Sequence, residues 1–546
     1  MTDQLRVVRG QRVVHGGAIG PASIHIRRGV IERVADYRDI PHGAHVDEAG
    51  DLVVMPGIVD THVHLNEPGR TEWEGFSTAT RAAAIGGITT LVDMPLNSIP
   101  PTTSREAFAA KRAAAKGQCT VDVGFWGGVV PGNAGELEGM VADGIRGFKA
   151  FMVDSGVEEF GWSDEKTLEP AMGILANTGA PLLVHAELAG PIDEIAGDIA
   201  KMDPKAYATY LASRPPSSEE QAIALITRLC RATKARTHIV HHSAASAIAQ
   251  LRAARAEGLP LTAETCPHYL HFVAEKIPDG ATAFKCAPPI RDSANREALW
   301  AALAEGVLEL VASDHSPCTP ALKGLDPTAY GRARSTTQTG LGIDAGVPIA
   351  RGSAPSVPAM SRTSTTLGVG PGARGDANPF SDDATNPGIG VGANPHAGSG
   401  GSSSGGSSSG GSSSGGSAYG GPGGADFMAA WGGVSGLQLA LSVVWTEASS
   451  RGHSLVDVTR WMCEAPARLA RFVGKKGVIA AGADADLIFF DDFATQVVNP
   501  ANIEHRHKVT PYAGETLRGV VRATYLRGVK IVDDGKHLVT EGGLLL

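Results

Sequence analysis

Between residues 56 and 320 the chain alternates short apolar runs with Ala-rich amphipathic segments, and this alternation restricts its fold more than any other feature. Apolar strands that alternate with helices are typical of a parallel sheet buried on both faces. Segments such as FSTATRAAAIG and SSEEQAIALITRLCRAT have helical spacing. The apolar runs are MPGIVDTHVHL, GITTLVDMP, VDVGFWGGV, GIRGFKAFM, APLLVHAE, THIVHHS, PLTAETCPHY and VLELVASDHS. Eight such strands predict a (β/α)8 barrel, an α/β fold.

Both ends of the chain have the pattern of short strands. Residues 1–55 contain QLRVVRGQRVV, and residues 472–546 contain VVRATYLRGVKIVDDG, with alternating apolar positions and turns at glycine. We therefore predict one small β domain that is built from both termini. It is split around the barrel, which is expected to occupy residues 56–325 and, with its final helices, residues 425–471.

The segment from residue 326 to residue 424 differs from the rest of the chain, because Gly, Ser, Pro, Thr, Ala and Asn dominate it. A segment with so few large apolar residues cannot offset its ordering entropy, so we predict disorder. Asp314 is expected to end the eighth strand and Asp426 to begin the helix that follows. The insertion is therefore predicted to lie in the loop after strand 8, on the catalytic face of the barrel. A long loop costs little extra free energy there, and we expect this one to be inert.

Charge and composition favour a small-molecule enzyme. The chain has 48 Lys and Arg against 57 Asp and Glu, a net charge of −9, and no basic run, which argues against nucleic acid as a partner. The six cysteines form no CxxC pair, so reduced thiols in the cytoplasm are expected. Apolar runs stay below the roughly 18 residues of a membrane span, and the N-terminus has no signal-peptide core. We expect a cytoplasmic protein with no membrane association.

The stretch VDTHVHLNEPG carries the first chemical signal. His62 and His64 are two residues apart at the end of an apolar strand, so their side chains project from the same face. Two neutral imidazoles at the mouth of a barrel suit a divalent metal ion. The pattern is weak alone, because a chain with 18 His often produces it by chance, and surface or core histidines are then the more common explanation.

Four further residues strengthen the metal interpretation, since each lies where an apolar run gives way to a loop: Lys149, His185, His241 and Asp314. The carboxyl ends of the strands form the active-site face of a (β/α)8 barrel. Either histidine alone could be a hydrogen-bonded core residue. A lysine within an apolar strand is costly without a partner, and carbamylation by carbon dioxide would convert it into an anionic metal ligand. As a set, the six residues predict a metal site.

GIVDTHVHLNEPG, GFKAF, VHAE, HIVH, CPHY and SDHSPC together resemble motifs of the cyclic amidohydrolases. This branch of the amidohydrolase superfamily includes dihydroorotases, hydantoinases and allantoinases. The resemblance covers residues 5–325 and 426–535. It implies that the small β domain is a β-sandwich beside the barrel and that the cofactor is a pair of divalent ions. Zinc is expected, with cobalt, manganese or iron as alternatives, and the resemblance suggests a homotetramer.

The resemblance also assigns roles to the predicted ligands. It implies that His62, His64 and Asp314 hold the first metal ion and that His185 and His241 hold the second. Lys149, as N6-carboxylysine, would bridge the two ions. Asp314 would in addition be the catalytic residue that moves a proton from the attacking water to the leaving nitrogen. His242 is the alternative to His241, and the motif HIVH favours His241.

The substrate follows from the loop after the metal-binding pair. Dihydroorotase-like sequences carry an Arg at the position of Asn66, where it pairs with a carboxylate, and an amide is a poor replacement for it. Asn66 would suit a neutral ureido ring, and NEPGRTEWEGF resembles the allantoinase version of this loop. Asn97 and Ser316 are further candidate ring contacts, unless they only cap their loops. The expected reaction is hydrolysis of (S)-allantoin to allantoate in purine catabolism.

Three alternatives remain. The first is a dihydropyrimidinase or hydantoinase, which does similar chemistry on related rings. The second is a dihydroorotase, against which Asn66 counts. The third is a non-catalytic scaffold that keeps the barrel and loses the metal ions, and the presence of all six candidate ligands argues against it.

Overall fold

The secondary structure of the chain is defined over residues 5–325 and 425–546, which the computed structural model describes. The strands are β1 Arg6–His15, β2 Ala18–Arg27, β3 Val30–Ala35, β4 His45–Glu48, β5 Val53–Pro56, β6 Ile58–Val63, β7 Ile88–Asp93, β8 Asp122–Phe125, β9 Gly127–Gly128, β10 Phe148–Phe151, β11 Leu182–His185, β12 Thr237–Ile239, β13 Leu261–Thr265, β14 Leu310–Val311, β15 Leu487–Val497, β16 Thr516–Leu526, β17 Val529–Asp533 and β18 Lys536–His537. The α-helices are α1 Phe76–Ile85, α2 Arg105–Ala115, α3 Leu137–Ala142, α4 Glu165–Thr178, α5 Ala189–Ile199, α6 Tyr207–Ser213, α7 Pro216–Thr233, α8 Ile248–Ala256, α9 Pro267–His271, α10 Ser293–Ala304, α11 Ala440–Ser450, α12 Leu455–Thr459 and α13 Ala465–Leu469. The predicted disorder of residues 326–424 lies outside the described residues.

Strands from both termini share one nine-stranded sheet, as the alternating patterns at the two ends predict. Its order is β18-β17-β16-β15-β5-β1-β2-β3, with β4 paired to β1. The two ends of the chain meet where β15 pairs antiparallel with β5, with Leu487 opposite Pro56. An apolar cluster that includes Val8, Ile24 and Tyr525 packs on this sheet. The chain thus returns to its first strands after completing the parallel part of the fold.

The strands from β6 to β14 are parallel and follow one another in chain order. One sheet contains β6, β7 and β8, and another runs from β9 to β14. Only Trp126 separates β8 from β9. The first and last of these strands are also linked, since Val63 forms a parallel bridge with His315 and the His64 N–H donates to the His315 carbonyl at 2.9 Å. The apolar runs of the sequence therefore form a parallel α/β arrangement of the TIM-barrel type.

Burial explains why these runs read as continuous apolar segments. Every residue of β6, β7 and β10 is buried, as expected for strands covered on both faces. The predicted helical segments FSTATRAAAIG and SSEEQAIALITRLCRAT correspond to α1 and α7, with shifts of one residue at one end of each. The six cysteines are free and buried. In the described part of the chain no helix is long and apolar enough to cross a membrane.

The helix expected to begin at Asp426 instead begins at Ala440. Three glycines explain the delay, because glycine lowers helix stability and permits other backbone conformations. Gly433 has a φ of 128°, which a helix does not allow. Likewise Asp314 does not end the eighth strand, which stops at Val311. Both boundary predictions were therefore wrong. The eighth strand ends before Asp314, and a loop separates Asp426 from the start of the helix.

Candidate active site

His62, His64 and Asp314 meet at the carboxyl end of the parallel strands. His62 is the fifth residue of β6, and His64 follows the strand, so alternation places both rings on one side. His62 Nε2 lies 3.3 Å and His64 Nε2 3.7 Å from Asp314 Oδ1. One donor atom from each residue fits within 4.8 Å of the others, and all three residues are buried. The arrangement could hold a metal ion.

His185 and His241 form a second group beside the first. His185 is the last residue of β11, and its Nδ1 lies 2.9 Å from His241 Nε2. The His241 ring centroid is 5.4 Å from that of His62, which links the two groups. His242 is directed elsewhere, with its Nδ1 3.8 Å from Glu219. Of the two adjacent histidines, the structure therefore brings His241 into the site.

Lys149 lies inside β10 rather than at its end, since it is the second residue of a four-residue strand. Its side chain is 1% exposed, and its Nζ lies 4.9 Å from the ring centroid of Phe151. Burial lowers the pKa of Lys149 to about 7, although Asp314 and Glu264 oppose the shift. A substantial fraction of this amine is therefore neutral and nucleophilic near pH 7.

The chemistry of the donors fits divalent metal ions. Burial, together with neighbouring cations, lowers the pKa of His64 and of His241, so both imidazoles are neutral and carry a lone pair. Nδ1 of each of these two rings has no hydrogen-bond partner among the described residues. Neutral imidazoles with one carboxylate are the donors that zinc-like ions prefer.

Two buried glutamates support the histidines and were missed in the sequence. Glu264 Oε1 lies 2.5 Å from His62 Nδ1, and Glu187 Oε2 lies 2.8 Å from His185 Nε2. Burial raises the pKa of Glu187, but Arg214 and His185 lower it further, to about 2. The Glu187 carboxylate is therefore ionised. A carboxylate near the carboxyl end of an apolar strand, as at Glu264, or two residues after a candidate ligand, as at Glu187, is the signal that could have identified them.

Of the predicted substrate contacts, Ser316 contacts Asp314 directly, and Asn66 and Asn97 are buried. Asn66 is 1% exposed, donates to the Pro317 carbonyl at 3.3 Å, and leaves its Oδ1 without a partner among the described residues. The Ser316 hydroxyl donates to Asp314 Oδ1 at 2.6 Å. Asn97 is 6% exposed and accepts a hydrogen bond from Arg70 at its carbonyl.

Strained backbone marks four of the predicted site residues. The φ angles of Asn66, Asn97, His241 and Asp314 are 63°, 65°, 39° and 44°. Non-glycine residues rarely adopt this left-handed region, and such strain persists at sites where the surrounding structure fixes it. The strain therefore agrees with a functional role for these loops.

A further possible ligand group contains Asp314 together with Cys266 and His268. Cys266 and His268 each have a donor atom within 4.8 Å of the others and of Asp314. Burial, partly offset by Asp314, lowers the pKa of His268 to about 4, so its ring is neutral. The motif CPHY contains both residues, but its spacing gave no indication that either approaches Asp314.

Comparison with curated proteins places this chain among known relatives. It is 40% identical to an allantoinase of Streptomyces avermitilis over 100% of this chain and 99% of that protein. It is 36% identical to a probable allantoinase of Oryza sativa subsp. japonica, covering 97% and 88% of the two chains. An allantoinase of Saccharomyces cerevisiae is 38% identical over 88% of this chain and 83% of its own length.

Solved structures and a family profile agree with these relatives. The L-hydantoinase (dihydropyrimidinase) of Arthrobacter aurescens has a TM-score of 0.77 and 25% identity, and the match covers 100% of this chain and 99% of that one. The dihydropyrimidinase of Brevibacillus agri has the same fold, with a TM-score of 0.75, 23% identity and coverage of 100% and 98%. The Amidohydrolase family profile matches residues 53–339. With its hydantoinase-like fold and full-length relatives, the chain belongs to the amidohydrolase family.

Proposed function

We propose that this protein is a metal-dependent hydrolase that opens the ring of (S)-allantoin to give allantoate. The observation that carries the proposal is the convergence of His62, His64 and Asp314, whose donor atoms fit within 4.8 Å in a buried site. The names of the full-length relatives point to the same substrate. The reaction adds water across one cyclic amide bond and belongs to purine catabolism.

The proposal assigns the residues of the site to two divalent ions, zinc above all. His62, His64 and Asp314 would hold one ion, and His185 and His241 the other. Lys149 would bridge them as a carbamate, formed when its neutral amine attacks carbon dioxide and releases a proton. Its pKa of about 7 favours that attack. When bound, such ions polarise the amide carbonyl and make water more acidic.

Asp314 moves the proton in the proposed reaction. Its carboxylate takes a proton from the attacking water and passes it to the ring nitrogen that leaves. The Ser316 hydroxyl, 2.6 Å from Asp314 Oδ1, fixes the orientation of that carboxylate. Asp314 is 5% exposed, so its carboxylate has little contact with bulk water.

The polar groups of the site suit a neutral ring. Asn66 offers a buried amide oxygen that can accept a hydrogen bond from a ureido N–H. The nearby cation Arg70 is paired with Glu159, so its charge is balanced. A substrate carboxylate would therefore meet no free cation from this loop. Hydrolysis of dihydropyrimidines or hydantoins is the second candidate, favoured by the structural likeness to the hydantoinase of Arthrobacter aurescens.

The proposal extends to the architecture around the site. The parallel strands β6 to β14 would close into a (β/α)8 barrel over residues 56–325 and 425–471. The nine-stranded sheet would fold into a β-sandwich from residues 1–55 and 472–546. The enzyme would act in the cytoplasm as a homo-oligomer, with a tetramer suggested by the resemblance.

Metal analysis of the purified protein tests this proposal. We expect about two equivalents of divalent metal per chain, and loss of allantoin hydrolysis on chelation that returns when metal is restored. A protein that opens allantoin without metal would contradict the assignment. So would a protein that binds about two equivalents and leaves allantoin unchanged, since it would then act on another ring.

A further inference from the structure

Two buried lysines lie beside the residues that flank the 326–424 insertion. Lys285 precedes α10, and Lys323 lies two residues before Leu325. Lys285 is 8% and Lys323 3% exposed, and burial lowers the pKa of Lys285 to about 7 and lowers that of Lys323. Burying an amine is costly unless its donors are satisfied. Their position therefore needs an explanation in the contacts that they make.

The two amines donate to main-chain carbonyl oxygens. Lys285 Nζ lies 3.1 Å from the Met428 carbonyl and 2.5 Å from that of Ala430. Lys323 Nζ lies 3.1 Å from the Lys285 carbonyl and 2.5 Å from that of Gly433. Three of the four acceptors belong to residues 428–433, which follow the insertion directly.

These acceptors adjoin the loop that carries Asp314. The Ser316 N–H donates to the Val434 carbonyl at 3.0 Å, and the Gly433 N–H donates to the Lys285 carbonyl at 2.8 Å. Gly433 packs so closely that a Cβ atom at this residue would lie 2.3 Å from the Ser316 carbonyl oxygen. Movement of residues 428–434 would therefore displace Ser316 and, through it, Asp314.

The two sides of the insertion are also joined directly. The Trp431 N–H donates to the Leu322 carbonyl at 2.8 Å. The Thr282 hydroxyl donates to the Lys323 carbonyl at 2.5 Å, which ties this side of the insertion to the loop of Lys285. The segment before the insertion and the segment after it therefore both contact the loop that contains Lys285.

We propose that Lys285 and Lys323 are positioning residues that clamp residues 428–434 against the loop of Asp314 and Ser316. Val434 of this segment packs in the apolar core, and the two amines satisfy main-chain carbonyl oxygens of the residues before it. Without them, buried carbonyl oxygens such as that of Gly433 lose their donors. An unpaired buried carbonyl is costly, so the segment would open to water.

Hydrogen exchange of the full-length protein tests the clamp without reference to any substrate. In Lys323→Met we expect exchange to accelerate about tenfold or more at the amides of Trp431, Gly433 and Ser316. The matched control is Lys276→Met, which changes an exposed lysine and should leave these amides unchanged. If Lys323→Met does not fold, Lys285→Met removes the donors to Met428 and Ala430 and should accelerate exchange at Trp431.

Kinetics then test whether the clamp positions the site, and this arm alone rests on the proposed function. We expect kcat for allantoin to fall about fivefold or more, with a smaller change in KM, because the clamp positions Asp314, which moves the proton. Exchange that matches the Lys276→Met control would overturn the clamp. Faster exchange with unchanged KM and kcat would overturn the positioning role. If the wild-type protein does not hydrolyse allantoin, the proposed function fails and the exchange result still decides the clamp.

Discussion

Glu264 accepts a hydrogen bond from His62, with 2.5 Å between its Oε1 and the imidazole Nδ1. This contact leaves Nε2 of His62 to face Asp314. The other carboxylate oxygen of Glu264 lies 3.1 Å from Nε2 of His238, so the carboxylate is held on two sides. A partner of this kind fixes the tautomer and the orientation of a metal-binding imidazole.

Replacing Glu264 should therefore weaken metal binding without removing a proposed ligand. In Glu264→Gln the neutral amide no longer holds the Nδ1–H of His62 as strongly, and we expect metal affinity to fall about 10- to 100-fold. Competition with a chelator measures this change. Glu106→Gln, at an exposed position of α2, is the control. Equal metal affinity in the two variants would remove Glu264 from the support of the site.

Lys149→Ala tests the proposed bridge. The variant loses the amine that would carry the carbamate, so activity and the second equivalent of metal should fall together, activity by about 100-fold or more. Added short-chain carboxylic acids should restore part of both, because they can occupy the space of the carbamate. Lys166→Ala, which alters an exposed lysine, should behave as wild type. Full metal content in Lys149→Ala, with no response to the acids, would contradict the bridge.

Asn66→Ala tests recognition of the ring. Because the Asn66 oxygen is buried without a partner among the described residues, a substrate N–H is expected to satisfy it. Loss of this contact should lower kcat/KM for allantoin about 10- to 100-fold while metal content stays constant. Asn177→Ala, at an exposed position of α4, is the control. Unchanged kcat/KM would place the ring elsewhere.

The buried amine of Lys285 gives a pH-dependent prediction. Burial lowers its pKa to about 7 in the folded protein, whereas an unfolded lysine titrates near 10.5. Between these values the unfolded chain binds more protons, so this residue's contribution to the free energy of unfolding rises with pH. Denaturant unfolding at pH 7, 8 and 9 should show wild type gaining stability relative to Lys285→Met. A constant difference would mean that the amine is charged in the folded state.

The sequence predicts the parts of this fold that depend on local pattern. Apolar runs such as that of β7 follow from burial on both faces, and the histidines at the ends of β6 and β11 follow from alternation. Glu264 was missed because its role depends on a contact with His62, which is 202 residues away. Lys285 and Lys323 were missed for the same reason, since their acceptors are main-chain atoms beyond the insertion.

Relative turnover of four rings tests the central claim most directly. Allantoin, dihydroorotate, dihydrouracil and hydantoin should be compared under one set of conditions with the metal-loaded enzyme. We predict that kcat/KM for allantoin exceeds that for each other ring by about 100-fold or more, because the buried polar groups are matched to a ureido ring. Equal or faster opening of dihydrouracil would contradict the proposed specificity.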